Sequence, residues 1–240
     1  MANAKKKSVA IVAGVGPGLG AALVRKLTSE GSSVGMFARS PEFIGKLGGE
    51  IGRTALAIPV NISNPKQVAA AFLKVRQQLG PVEILIANAS GSVGEGLMET
   101  TPEQFERSWR TGVCGAFLCA REAVLDMLEG GAGAMIFTGA TSSMRGRGGA
   151  VAFSSAKFAV RGLAQSLAVE FWPKGIHVAH VIIDGVIDTP KVRKRYKPAA
   201  NEPLLKPEAI ADAYWNLIQQ DRSAWSLEID LRPNNEAFFE

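Results

Sequence analysis

Cysteine, histidine and tyrosine each occur only twice in the 240 residues. Cys114 and Cys119 lie on one predicted helix, about 140° apart around its axis. That placement predicts neither a disulfide nor a metal pair, and free thiols suit a cytoplasmic protein. His177 and His180 fall on opposite faces of a predicted strand, an arrangement that speaks for packing and against a metal site. No run of eighteen apolar residues occurs, so no membrane span is expected. Internal repeats, low-complexity tracts and linkers are missing too. The opening MANAKKKS lacks the apolar stretch and cleavage site of a secretory signal, so Lys5–Lys7 read as a solvated lead-in to the first strand. The formal net charge is +5 and the pI about 9.3, yet the charges are scattered. Their densest cluster, Lys191, Arg193, Lys194, Arg195 and Lys197, sits in one loop. This favours a site for an anionic cofactor or substrate and excludes a nucleic-acid groove as the main reading.

What is present is alternation. Short Val/Ile/Ala-rich runs occur at Ser8–Ala13, Ser33–Ala38, Ala55–Pro59, Glu83–Asn88, Ala134–Gly139 and His177–Ile183, with a weaker seventh at Ser226–Asp230. Amphipathic segments separate them: Gly18–Ser29, Pro65–Leu79, Pro102–Leu128, Val151–Trp172 and Pro207–Gln219. Asn64-Pro65 and Thr101-Pro102 each put a cap before a proline at the first helical position. Repeated β-α-β units predict an α/β fold: a doubly wound parallel seven-stranded sheet between two helical layers, forming one domain over residues 1–240. Asp188 to about Leu205 shows no clear periodicity. A loop of this length predicts a substrate lid over about 188–206.

The first strand runs into Gly14-Val15-Gly16-Pro17-Gly18-Leu19-Gly20, followed by a helix pattern. Glycines let backbone approach a pyrophosphate, and the next helix N-terminus offers amide donors and partial positive charge. A tight turn needing positive φ is the alternative, but four glycines in seven positions argue against it. The second strand ends Ala38-Arg39-Ser40. An acid at that strand end would bind ribose hydroxyls in an NAD site. Arg39 can instead bind a 2′-phosphate through charge-assisted hydrogen bonds, with Ser40 adding a hydroxyl. The alternative is a solvated strand-end arginine. With no acid nearby, NADP(H) is preferred over NAD(H).

The Gly14-x3-Gly18-x-Gly20 spacing resembles the TGxxxGxG turn of the short-chain dehydrogenase/reductase family, with Ala13 for threonine. The resemblance spans most of the chain and implies a Rossmann fold. Asn61 and Ile62, after the third strand, match the family's aspartate-valine pair at the adenine. Asn88-Ala89-Ser90 resembles NNAG, and Asp184-Gly185-Val186-Ile187-Asp188-Thr189 resembles PGxxxT with Asp184 for proline. Thr189 and the Ile187 backbone would then meet the nicotinamide carboxamide. Phe153-Ser154-Ser155-Ala156-Lys157 matches the family's YxxxK with Phe153 in place of tyrosine. Thirteen residues earlier, Ala140 stands where the family has serine, and Gly112 where NVxG has asparagine. Of that tetrad only Lys157, which also holds the nicotinamide ribose, is kept.

Phenylalanine cannot donate a proton. Losing a general acid typically costs about 10²–10⁴ in rate, and losing an oxyanion donor about 10²–10³. Thr141, directly after Ala140, is one candidate hydroxyl. Tyr196, in the basic loop, is a second as a proton donor from the lid, the alternative being an ordinary lid residue; Tyr214 reads as core. The sequence therefore predicts an NADP(H)-dependent oxidoreductase acting on a small-molecule substrate, with the lysine-rich lid pointing to an anionic one. A catalytically silent NADP(H)-binding sensor or supporting subunit is the alternative. The resemblance implies a homodimer or homotetramer paired through Pro102–Leu128 and Val151–Trp172, with Ala116–Ala120 exposed.

Overall fold

The computed structural model describes residues 8–91, 94–199 and 201–235, so the Lys5–Lys7 lead-in lies outside the described residues. All seven predicted apolar runs become strands, the first five being β1 (Val9–Ala13), β2 (Ser33–Ala38), β3 (Ala55–Pro59), β4 (Ile84–Ala87) and β5 (Gly133–Thr138). The sheet is completed by β6 (Ile176–Ile183) and, after the two-residue strands β7 (Val186–Ile187) and β8 (Leu204–Leu205), by β9 (Glu228–Leu231). The order is β3-β2-β1-β4-β5-β6-β9, and every pairing is parallel. β1, β4 and β6 are buried along their whole length. That explains their continuous apolar runs: a parallel strand covered on both faces has no solvent side to alternate with.

The helices are α1 (Leu19–Ser29), α2 (Pro41–Ile51), α3 (Pro65–Gln78), α4 (Pro102–Trp109), α5 (Gly115–Gly130), α6 (Val151–Phe171), α7 (Pro190–Arg195) and α8 (Pro207–Ile218). They form a core on each side of the sheet. Phe72, Ala123 and Ala164 of α3, α5 and α6 pack on one face. Leu23, Ile44 and Tyr214 of α1, α2 and α8 pack on the other. The caps read from sequence are present: Asn64 accepts the Gln67 amide at 3.1 Å, and Thr101 forms a reciprocal capping box with Gln104.

Four expectations need correction. α2 was absent from the sequence pattern because Gly45, Gly48 and Gly49 depress its helix propensity. Ile44 and Leu47 are nonetheless buried, and a Cβ on Gly48 would sit 3.3 Å from the Ala55 carbonyl oxygen, so tertiary packing sets the helix. The single helix expected over Pro102–Leu128 is divided by a π turn, Arg110–Cys114. The stretch from Asp188 to Leu205 is not a featureless loop, since it holds α7 and is closed at its base by the parallel β7–β8 pair. Finally, Ala116, Cys119 and Ala120 are core residues, leaving Phe117 as the exposed apolar side chain of that stretch beside half-buried Leu118. No helix among the described residues is long and apolar enough to cross a membrane.

The chain leaves β1 to one side through β2 and β3, and returns on the other through β4. This reversal opens a crevice at the carboxyl ends of β1 and β4. A hydrogen-bond chain fixes its floor. The buried Tyr214 hydroxyl donates to Thr138 Oγ1 at 2.9 Å, and Thr138 Oγ1 donates to Asn88 Oδ1 at 3.2 Å. Asn88 Nδ2 in turn donates to the Gly14 carbonyl oxygen at 2.8 Å. Tyr214→Phe removes one buried bond and is expected to cost about 1–2 kcal/mol. The measurement is thermal unfolding, with Tm falling by about 2–6 °C; an unchanged Tm would show that the hydroxyl contributes nothing.

Candidate active site

The glycine turn is built by backbone and neighbours together. The amides of Gly14 and Val15 both donate to the Phe37 carbonyl oxygen, at 2.9 and 3.0 Å, tying the turn to β2. Gly14 has φ +107°, and a Cβ there would lie 2.5 Å from the Ala89 amide nitrogen. Gly18 has φ +135°, and a Cβ there would strike the Thr189 Cγ2 at 2.6 Å. Both positions admit only glycine. Gly16 faces open space. α1 begins at Leu19 with neither a side-chain cap nor an acid in its first turn. Its first amide donors and positive dipole end are therefore left for an anion in the crevice.

Two cavities meet at this turn. One, of about 500 Å³, is lined by Gly14, Gly16, Leu19 and Gly20 on one side and by Ala140, Thr141, Phe153 and Lys157 on the other. Ile187, Thr189 and Lys191 border it from the segment joining β7 to α7 and the start of α7. The second, of about 430 Å³, extends along the β2 and β3 ends and is lined by Arg39, Ser40, Asn61, Ile62 and Ala89. Asn88 and Ser90 line both. The elongated cleft, with a glycine cradle and uncapped helix end at its middle, has the form of a dinucleotide site. Gly18 is not part of either lining; its role is the close approach to Thr189. Asn88 is committed to the bonds that hold the floor, and Asn61 Oδ1 already accepts the Ser63 amide at 3.1 Å, with one acceptor site left.

Lys157 lies in the second turn of α6, four residues after Phe153, so both reach the same end of the cleft. Its ammonium donates to the Thr138 carbonyl oxygen at 2.7 Å and sits 5.6 Å from the centroid of the Phe153 ring. Burial disfavours the charged form and lowers its pKa to about 8. Behind it, buried His180 bonds Glu228 at 2.9 Å, and Glu228 takes a two-armed contact from Arg161 at 2.8 and 2.9 Å. Burial also lowers the His180 pKa. His177 stacks on Trp225 with ring centroids 4.8 Å apart. Among the described residues no group of histidine, cysteine and acids could hold a metal ion.

Every sequence-predicted site residue except Gly18 and Tyr196 lines one of the two cavities, and Gly18 abuts Thr189 in the turn between them. Tyr196 ends α7, is 59% exposed, and is absent from the cleft lining. Its hydroxyl bonds Glu202, which raises its pKa. This geometry does not support a proton donor reaching in from the lid. Two features, Arg147 and Asp184, escaped sequence reasoning. Arg147 lines the cleft from the turn before α6, but its Arg-Gly-Arg-Gly-Gly surroundings look like any exposed loop. Ser142 lines it as well, although only 3% exposed. Asp184, read only as a departure from a motif, is buried, accepts the Thr141 hydroxyl, and is held by Arg232 at 2.5 Å. Arg232 is 48 residues away in sequence, and no local pattern links the two.

Comparison with known proteins agrees with this architecture. The family model described as short chain dehydrogenase matches residues 8–200. A short-chain dehydrogenase/reductase of Armillaria gallica is 32% identical over 189 residues, covering 76% of this chain and 72% of the relative. The 3-oxoacyl-acyl-carrier-protein reductase MabA of Mycobacterium tuberculosis is 31% identical over 183 residues, covering 76% and 70%. Among solved structures, a short-chain dehydrogenase from Rhodopseudomonas palustris is 35% identical with TM-score 0.81, covering 95% of this chain and 99% of that one. A 3-ketoacyl-(acyl-carrier-protein) reductase from Brucella melitensis, complexed with NADH, is 26% identical with TM-score 0.85, covering 95% and 97%. With the parallel sheet and the glycine turn at its switch point, these similarities establish that the chain belongs to the short-chain dehydrogenase/reductase family of oxidoreductases.

Proposed function

We propose that this chain is a one-domain NADP(H)-dependent oxidoreductase of the family, spanning residues 1–240 with a substrate lid over about 188–206. The observation carrying the cofactor preference is the second cavity. Arg39 and Ser40 line it, no acidic side chain does, and Arg39 has no ion pair among the described residues. A carboxylate there would repel a 2′-phosphate, whereas a guanidinium attracts it. Gly14, Gly16, Leu19 and Gly20 would hold the pyrophosphate, with Gly18 shaping the turn. Asn61 and Ile62 would meet the adenine, Asn88, Ala89 and Ser90 the cleft floor, and Lys157, Ile187 and Thr189 the nicotinamide riboside. When bound, the cofactor supplies or accepts a hydride; the protein's residues orient it and manage protons.

On this reading Phe153 and Ala140 stand where relatives carry the proton-donating tyrosine and the serine. Both line the cleft, and neither has a hydroxyl. A plain ketone reduced here would build an alkoxide with no tyrosine to protonate it. Arg147 and Lys191 border the same cavity without a carboxylate partner among the described residues, which supports an anionic substrate. The hydroxyl-free pair also supports a second reading, a silent NADP(H)-binding sensor or supporting subunit. α5 and α6 expose Phe117, Leu125, Leu128, Phe158 and Val169, an apolar face suited to pairing two copies of the chain.

Three measurements test the reading. Calorimetric titration should show NADPH binding more tightly than NADH. Arg39→Ala should weaken NADPH by about 10–100-fold and NADH by less than about threefold; tighter NADH binding by the unaltered protein would reject the preference. Following reduced nicotinamide against carbonyls, imines and enones separates enzyme from sensor. Phe153→Tyr combined with Ala140→Ser should gain ketone reductase activity by about 10²-fold or more, and no gain would show that the rest of the site is not arranged for that chemistry. Leu125→Glu should shift the protein from dimer or tetramer to monomer by light scattering; a monomeric unaltered protein would refute the interface.

A further inference from the structure

The cleft contains a hydroxyl whose proton is already assigned. Thr141 follows Ala140 at the end of β5 and lines the cavity shared by Phe153 and Lys157. Its Oγ1 is hydrogen-bonded to Asp184 Oδ1. Asp184 is 8% exposed, and its other oxygen takes the Arg232 guanidinium at 2.5 Å. Arg232 also bonds Asp230 at 2.9 Å. The Thr141 hydroxyl is the donor of that bond and the Asp184 oxygen the acceptor, so the hydrogen between the two side chains belongs to Thr141. Toward a ligand, Thr141 Oγ1 can then offer only lone pairs. A carbonyl oxygen also has only lone pairs and finds no partner there, whereas an alcohol donates its O–H. Ser142, the neighbouring hydroxyl, has no such carboxylate behind it among the bonds of the described residues.

Resting on the oxidoreductase reading, we propose that Thr141, backed by Asp184 and Arg232, accepts the substrate's proton, and that the cleft selects an anionic alcohol over the corresponding carbonyl. Arg147 and Lys191 at the cavity edge bind the anionic group. Thr141 alone is a poor base; the carboxylate behind it makes the pair a conduit. The substrate O–H bond breaks, its proton passes to Thr141 Oγ1, and the original Thr141 proton passes to Asp184. The carbinol C–H bond breaks with its electron pair leaving as hydride to an oxidised nicotinamide dinucleotide, and the C=O bond forms. Asp184 then releases its proton to water. The net change is alcohol plus oxidised cofactor to carbonyl plus reduced cofactor plus one proton.

The test uses racemic 3-hydroxybutyrate, acetoacetate and uncharged 2-butanol, titrated calorimetrically into the cofactor-free protein. The hydroxy acid should bind about 3–10-fold more tightly than the keto acid, the scale of one hydrogen bond, and more tightly than 2-butanol. Thr141→Val should abolish the preference over acetoacetate and Thr141→Ser should keep it. Equal or tighter binding of acetoacetate, no binding of either acid, or a preference that survives Thr141→Val but vanishes in Ser142→Ala would overturn the assignment. With NADP⁺ and 3-hydroxybutyrate, Thr141→Val should lower kcat by about 10²–10⁴-fold with NADP⁺ affinity within twofold. If the binding preference holds but the unaltered protein turns nothing over, the oxidoreductase reading fails and recognition by Thr141 stands. Turnover unaffected by Thr141→Val sinks the proton-acceptor role and leaves the reading intact.

Discussion

The Gly14 carbonyl oxygen is where the sheet takes hold of the site. It receives the Asn88 amide, which is steadied by Thr138 and, through it, by Tyr214 from the far face of the sheet. The same turn is drawn to β2 by two amides bonded to one carbonyl oxygen of Phe37. A turn at the carboxyl end of a central parallel strand lies beyond the ladder of strand hydrogen bonds, and leaving its polar groups buried without partners would be costly. These bonds fix the turn with its remaining amides directed at the cleft. The two cavities then follow, because they are the spaces left on either side of that fixed turn.

The proton-handling end obeys a different constraint. Lys157 is buried with one carbonyl oxygen and an aromatic ring for company, and its lowered pKa reflects the loss of solvent. Phe153 fills the adjoining space with a ring that has no proton to give. Elsewhere along the same cleft, Thr141 meets Asp184, which is buried beside Arg232. A buried carboxyl group is costly without charge and hydrogen-bond partners, and Asp184 has both. At Phe153 and Ala140 the cleft offers no hydroxyl, while at Thr141 it offers one backed by a carboxylate.

Strands and most helices were legible because their cause is local. β1, β4 and β6 are wholly buried, so their apolar runs are continuous, and Asn64 and Thr101 cap because their side chains reach their own helix amides. α2 was illegible because three glycines hide a helix that packing against β3 sustains. The π turn was illegible because an inserted residue shifts a helix's register without changing its composition. α7 carries the same threonine-proline start signal as α4, but its basic, unpatterned body masks it.

The sequence by itself determined the alternation of strands and helices, the glycine turn, the Arg39 strand end and the Phe153–Lys157 pair, since each depends on residues close to one another along the chain. It also named Thr141 as a hydroxyl near the site. Only the tertiary structure decided what that hydroxyl does and where Tyr196 points. Asp184 and Arg232 meet because β6 and β9 are neighbours in the sheet, and Tyr196, exposed just past α7, bonds Glu202. Hydrogen-bond direction at Thr141 is set by a carboxylate 43 residues along the chain, and separations of that kind leave no periodic trace in the sequence.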